Sequence, residues 1–309
     1  MNCPTLSELP APPRGKKGWP WTEETLQLTE TMPDGQPWPR VSIVTPSYNQ
    51  GRFIEETIRS VLLQGYPNLE YIVIDGGSTD NSAEIIKKYE KWLAYWISEP
   101  DRGQSHAINK GFEKATGLIY TWLNSDDYLL KDALKNVAKT YQVSPAAGAW
   151  CGGSLFVNED GKKTGVRRPN RLDVEGIAAW NENSFGQPAC FFSKRAWQQC
   201  GPLEEDLYYG MDFDLWIKIA KKFTFEKVYE MLAIERVHKD AKTQRDQGMM
   251  YAVQCQIQIH HGYERLAFED IRQWMNEYMK LHRKLDYVSR FPLVRPIMPI
   301  ARIVWRKAR

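Results

Sequence analysis

Between residues 41 and 123 the chain alternates short, almost wholly apolar runs with segments of helical period, and this alternation restricts the available folds more than any other feature. The apolar runs are residues 41–45, 69–74, 94–97 and 118–123. Between them Ile54, Ile58, Val61 and Leu62 recur at helical spacing, as do Ile85, Ile86, Tyr89 and Trp92, and residues 105–115 supply a third helical segment. Asn81 and Glu84 are spaced as a capping box at the start of the second helix, read as 81–91. Apolar strands joined by crossover helices predict a parallel sheet covered on both faces, a Rossmann-like α/β domain.

The fourth run ends abruptly in Asn124-Ser125-Asp126-Asp127, which sets two adjacent carboxylates where a buried strand meets solvent. Two carboxylates about 4 Å apart repel by roughly 4 kcal/mol at an effective dielectric near 20, so such a pair calls for a shared proton, a cationic side chain or a divalent ion. The first two runs end in Thr45-Pro46-Ser47-Tyr48-Asn49 and Asp75-Gly76-Gly77-Ser78-Thr79-Asp80. In a parallel sheet all carboxyl ends share one rim, so these loops converge with the acidic pair. Asp75 could accept hydrogen bonds from a base or ribose and Tyr48 could stack on a ring, although residues 75–78 also suit a plain strand-to-helix turn. Neither a G-x-G nor a G-x-x-x-x-G-K-[ST] pattern occurs. A diphosphate would then be held through Mg²⁺ or Mn²⁺ on one or two carboxylates rather than by a glycine cradle.

Beyond the acidic pair the pattern predicts a helix over 131–141, short strands over 148–166 with a hairpin turn at Asn158-Glu159-Asp160-Gly161, and helices over 194–200, 211–222 and 245–288. The expected organisation is a proline-rich extended arm (1–39) packed on the surface through Trp19, Trp21 and Trp38, a catalytic domain (40–238), and a helical C-terminal extension with a basic tail (239–309). Within the middle domain, 40–130 and 131–238 are expected to form two halves, nucleotide-binding and acceptor-side on the family resemblance that their motifs carry. The formal charge of +3 argues against nucleic acid as a partner. Five scattered cysteines without a C-x-x-C pair argue against a disulfide framework or a zinc site and fit a reducing cytoplasm. No stretch has the roughly 18 uninterrupted apolar residues of a spanning helix. From Lys280 onward nine basic residues face Asp286 alone, mixed with apolar residues. That tail could lie on an anionic leaflet or pack on protein.

Taken together, residues 41–49, 74–80, the stretch from Asp101-Arg102-Gly103 to Asn109-Lys110-Gly111, and Leu123-Asn124-Ser125-Asp126-Asp127 resemble the motifs of the family-2 glycosyltransferases, over about residues 40–245. The resemblance implies the A-type glycosyltransferase fold, a nucleotide-sugar donor (a UDP-sugar foremost), a divalent metal, inversion at the anomeric carbon, and a glycan or lipid-linked acceptor of the kind used in cell-envelope polysaccharide synthesis. It implies that Thr45 and Tyr48 line the nucleoside pocket, that Asp75 binds the base and that Arg102 lies near the nucleotide. Asp126 would meet the ribose or a metal-bound water, and Asp127 would ligate the metal. Asn124 replaces the first carboxylate of the commoner motif. Met211-Asp212-Phe213-Asp214 resembles the segment carrying the catalytic base, with Asp212 in that position and Met211 in place of the usual Glu. A carboxylate at a helix start is expected to have lowered basicity, and by itself Asp212 reads as a helix cap. His238 resembles the position from which some relatives lend the metal a histidine. Gln187 and Trp180 are candidate acceptor contacts. Q-x-x-R-W, the mark of processive synthases, is absent, which favours single-sugar transfer. Nucleotidyl transfer on a sugar phosphate and a non-catalytic glycan- or membrane-binding module are the rival readings.

Overall fold

The computed structural model describes residues 3–180, 185–242 and 246–289, with side chains through residue 280. The basic tail beyond residue 289 lies outside the described residues. The chain divides into two compact units, Met1–Val253 and Gln254–Arg309.

The first unit begins with the expected alternation: β1 (Val41–Ser47), α1 (Ile54–Leu62), β2 (Leu69–Asp75), α2 (Ser82–Lys88), β3 (Tyr95–Ser98), α3 (Gln104–Lys114) and β4 (Ile119–Trp122). It continues through β5 (Tyr128–Leu129), α4 (Ala133–Val143), β6 (Ala149–Val157), β7 (Lys163–Arg167), α5 (Val174–Ala178), β8 (Cys190–Ser193), α6 (Lys194–Cys200), α7 (Met211–Ala220) and β9 (Phe225–Arg236). The described strands form one sheet in the order β3-β2-β1-β4-β8-β6-β9-β5, with β7 paired to β6. Its first four strands are parallel. β8 then runs antiparallel to both β4 and β6, β9 is parallel to β6, and β5 is antiparallel to β9.

Side-chain alternation along β1 explains why helices cover both faces. Val41 and Ile43 join one apolar cluster with Ile54, Ile58 and Val61 of α1, Ile85 and Ile86 of α2, and Leu134 and Val137 of α4. Val44 points the other way, against α3, so close to Gly111 that a Cβ there would lie 2.4 Å from its Cγ1. On that side Phe112 stacks on Tyr120 at 5.1 Å and Trp122 on Trp216 of α7 at 5.5 Å.

The arm packs as its tryptophans suggest. Trp21 and Trp38 are buried, and the Trp19 indole donates to the Leu129 carbonyl at 2.8 Å. Arg59 of α1, wholly buried, donates to the carbonyls of Pro10 (2.8 Å), Pro20 (3.1 Å) and Trp21 (3.0 Å) and to the Tyr89 hydroxyl (3.2 Å). Arg59→Met removes these donors and leaves buried carbonyls unpaired. It is expected to lower stability by about 3 kcal/mol or more and the melting temperature by roughly 6–12 °C, read by a thermal melt.

Two local expectations are corrected. Asn81 makes no side-chain cap; Asp80 does the work instead, its carboxylate accepting from the backbone N–H groups of Ser82 and Gly51, both at 2.9 Å. The helix expected over 245–288 is two: α8 (Gln247–His260) and α9 (Glu264–Ser289), separated at Gly262, which has φ +84°. An L side chain rarely adopts that conformation, so the glycine ends one helix and starts the next. The turn at residues 158–161 joins β6 to β7 as expected, with Gly161 N–H donating to the Asn158 carbonyl at 2.9 Å.

Candidate active site

The loops after β1 and β2 meet at one rim because their strands end in register, Ser47 opposite Asp75. Asn49, at φ 53°, stitches them together: its amide oxygen accepts from Thr79 N–H at 2.8 Å, and its own N–H donates to Ser78 Oγ at 2.8 Å. Asp75 is fully buried and accepts from Ser78 N–H (2.9 Å), Ser78 Oγ (2.5 Å) and Ser98 Oγ (2.6 Å). Its carboxylate is therefore held by protein donors where the first two strands end. Tyr48 is 60% exposed on the rim. Thr45 departs from the expectation that it lines the nucleoside pocket: it is wholly buried, with its hydroxyl 3.0 Å from that of Tyr71. Ser47 stands nearer the rim, buried, with an Oγ that has no hydrogen-bond partner among the described residues. Arg102 is largely exposed and pairs through Nη2 with Glu205 at 2.7 Å.

The acidic loop is braced from α1, where Thr57 Oγ1 donates to the carbonyls of Ser125 (3.0 Å) and Asp127 (2.6 Å). Its two carboxylates then diverge. Asp126 Oδ2 lies 3.0 Å from His238 Nε2, and its side chain keeps 20% exposure. Asp127 is buried; its Oδ1 accepts the Arg236 N–H at 2.9 Å and its Oδ2 lies 3.4 Å from Asn124 Nδ2. Burial, then the charges of Asp126 and Glu235, push the Asp127 carboxyl well above the usual carboxylate range. The Arg236 side chain locks the arrangement, donating to the Asp126 carbonyl at 3.1 Å and pairing with Glu56 at 2.9 Å. The expected metal carboxylate, Asp127, is thus turned into the protein and engaged by the backbone of β9. The accessible carboxylate, and the one beside the histidine, is Asp126.

The reason is β9. Its pairing with β5 sets Tyr128 opposite Ile234 and brings Arg236 and His238 against the acidic loop. His238 is buried, its ring 4.9 Å from that of Phe53, and Nδ1 has no partner among the described residues.

Asp212 sits in the first turn of α7, preceded by Gly210 at φ 71°. Burial raises its carboxyl above the ordinary value, against the lowering effects of its own and Phe213's backbone N–H groups and of the Lys242 and Arg167 charges. The expectation that the helix start makes Asp212 a weak base does not hold, because desolvation outweighs the dipole. Asp214, two residues on, pairs with Lys218 at 2.8 Å and is structural. Trp180 packs beside Phe185 and Phe213 at 5.3 and 5.4 Å. Gln187 donates to the Trp122 carbonyl at 2.8 Å, so one end of its amide holds the sheet rather than a ligand.

Two residues here were not singled out by the motifs. Glu235, half-buried and with its carboxyl raised chiefly by desolvation, is paired to Arg167 at 3.3 Å and bonded by Ser154 Oγ. Lys242 follows β9, its ammonium 3.4 Å from Gln104 Oε1. Only strand pairing could have pointed to them, since neither lies in a sequence pattern with the acidic loop.

Among the described residues no three His, Cys, Asp or Glu side chains are grouped to hold a metal. Asp126 and His238 nonetheless form a two-donor set, one carboxylate oxygen and one imidazole nitrogen at contact distance. That set fits a divalent ion whose other positions are filled by substrate phosphates and water.

Comparison with known proteins bears on the family and the fold. The model of the family described as glycosyl transferase family 2 matches residues 42–197. The Bacillus subtilis protein named "Putative teichuronic acid biosynthesis glycosyltransferase TuaG" is 36% identical over 206 residues, covering 64% of this chain and 79% of that protein. A Pasteurella multocida chondroitin synthase is 27% identical over 206 residues, 65% of this chain but 21% of the synthase. Among solved structures, S. aureus TarS 1-349 in complex with UDP-GlcNAc superposes with a TM-score of 0.60 at 16% identity, covering 83% of this chain and 78% of that one. The Pyrobaculum calidifontis mannosyltransferase PcManGT in complex with GDP-Man and Mn²⁺ gives 0.56 at 21% identity, covering 86% and 85%. At these identities the structural likeness establishes the A-type glycosyltransferase fold.

Proposed function

This chain belongs to glycosyl transferase family 2 and is a glycosyltransferase; from that premise we propose that it moves a single sugar, with inversion, from a nucleoside diphosphate sugar to a hydroxyl of a glycan or lipid-linked acceptor. The observation that carries the reading is the Asp126–His238 pair at 3.0 Å on the rim of the parallel strands, with a half-buried Asp212, its carboxyl raised by desolvation, on the first turn of α7.

Tyr48 offers an exposed ring face for the base, and the loop of Asp75 and Ser78, with Ser47 beside it, shapes the floor beneath. Asp126 and His238 would hold Mn²⁺ or Mg²⁺, the imidazole nitrogen favouring Mn²⁺. When bound, the ion neutralises charge on the departing diphosphate. Asp212 accepts the proton of the acceptor hydroxyl as that oxygen bonds to the anomeric carbon. The bond from that carbon to the diphosphate oxygen breaks, and its electron pair leaves with the nucleoside diphosphate. Trp180 lies beside Phe213, the neighbour of Asp212, and suits a sugar ring on the acceptor side.

A UDP-sugar is the first donor to try: the solved relative of highest TM-score among those above carries one, and GDP-mannose is the second. The acceptor is proposed to be a cell-envelope polysaccharide, on the strength of the teichuronic acid relative. Among the described residues no helix is long and apolar enough to cross a membrane. Action at the inner face of the membrane is proposed, with the basic tail as the contact.

The test is a panel of nucleotide sugars with Mn²⁺ and a glycan acceptor, scored for released nucleotide. Release of nucleoside diphosphate that EDTA abolishes and Mn²⁺ restores is the expected result. Pyrophosphate release would instead mean nucleotidyl transfer, and transfer unchanged in EDTA would remove the metal from the reading.

A further inference from the structure

Among the described residues, arginines around the candidate site are paired with carboxylates, and Lys242 is not. Arg236 is held by Glu56, Arg167 by Glu235 and Arg102 by Glu205. Lys242 has no carboxylate within ion-pair distance among the described residues. Its ammonium, partly buried, lies 4.0 Å from the ring centroid of Tyr208 and 3.4 Å from Gln104 Oε1. An ammonium has three protons to donate, and a ring face and one distant amide oxygen leave it short of acceptors. Its surroundings call for an anion.

The position says which anion. Gln104 opens α3, and its Nε2 donates to Asn124 Oδ1 at 2.7 Å, so Lys242 is linked through one side chain to the head of the acidic loop. Asp212 is its other electrostatic neighbour. Lys242 therefore stands between the group that would take the acceptor's proton and the loop that would hold the donor's phosphates. Asn124 matters here, because an aspartate in its place would add a negative charge to the far end of that link.

Resting on the donor-site reading above, we infer that Lys242 leaves the Tyr208 face to bind the diphosphate of the donor, and that it stabilises the leaving group as the sugar–phosphate bond breaks. Charge-assisted contact to a phosphate oxygen is geometrically open to a long, flexible lysine and would be strong in a partly dry site. An acidic group on the acceptor is the competing occupant, and it is removed from the experiment by omitting the acceptor.

The experiment compares UDP with UMP, and GDP with GMP, binding to the full chain in Mn²⁺ by titration calorimetry. Lys242→Met keeps the aliphatic stem and loses the charge; it is expected to weaken diphosphate binding roughly ten- to a hundredfold and monophosphate binding by less than about twofold. Lys242→Arg should retain most of the diphosphate affinity, and Lys242→Gln repeats the test if the Met variant does not fold. An unchanged diphosphate affinity in the Met and Gln variants, or an equal loss for di- and monophosphates, would overturn the inference while leaving the donor site standing. A wild-type chain that binds none of the four nucleotides would overturn the donor-site reading, and this inference with it.

Discussion

Asp212→Asn is expected to lower sugar transfer by about 10²–10⁴-fold while leaving nucleoside diphosphate affinity within about twofold of the wild type. The asymmetry follows from where Asp212 sits. It belongs to the first turn of α7, and its hydrogen bonds are to backbone groups of its own turn rather than to the loops of β1 and β2. Asparagine keeps the shape but cannot take a proton. The pH dependence carries the same signature. A base works only when ionised, so the rate should climb with pH through the Asp212 pKa, which burial has moved above the ordinary aspartate value near 3.9. The acid limb of kcat/KM should accordingly lie to the alkaline side of that value and vanish in the Asn variant.

Stability should move in the opposite sense. A carboxyl whose folded pKa lies above its unfolded pKa destabilises the fold as pH rises between the two values. At neutral pH the Asn variant should therefore melt no lower than the wild type, so an inactive but stable protein separates chemistry from folding. A variant that transfers sugar at the wild-type rate would show that the proton goes elsewhere, with Glu235 the next group to test.

The second large effect divides two neighbouring residues. Asp126→Ala and His238→Ala are each expected to cut transfer by about a hundredfold or more, since metal stabilisation of a leaving group is worth several kcal/mol. Asp127→Asn should keep most of the activity. Burial already raises the Asp127 carboxyl above the usual range, its Oδ1 accepts the Arg236 N–H, and an amide oxygen can take over that bond. Steady-state rates at saturating Mn²⁺, measured for all three variants, check the contrast. Reversal of the order would return the metal to Asp127.

How far the sequence led can be judged from this same loop. The runs at 41–45, 69–74 and 118–123 announced the parallel strands because a strand buried on both faces is apolar throughout, and their carboxyl ends brought the right loops to one rim. The mixed half of the sheet was harder to read. β8 has four residues and β5 two, too short for a periodic signal, and their partners lie far along the chain. That pairing decides which aspartate faces His238, so the placement of Asp126 rather than Asp127 beside it was out of reach of local pattern. Thr45 and Asp75 illustrate another limit: motif position brings both to the rim, but only the structure shows their oxygens engaged with Tyr71, Ser78 and Ser98. The basicity of Asp212 was misjudged for a related reason, because the dipole of a helix is visible in sequence and the burial of its first turn is not.

The rim pair is best tested by electron paramagnetic resonance of Mn²⁺ titrated into the chain with UDP present. Bound Mn²⁺ should be seen in the wild type and in Asp127→Asn, and lost in Asp126→Ala and in His238→Ala. Mn²⁺ bound as tightly by Asp126→Ala as by the wild type, or lost in Asp127→Asn alone, would contradict it.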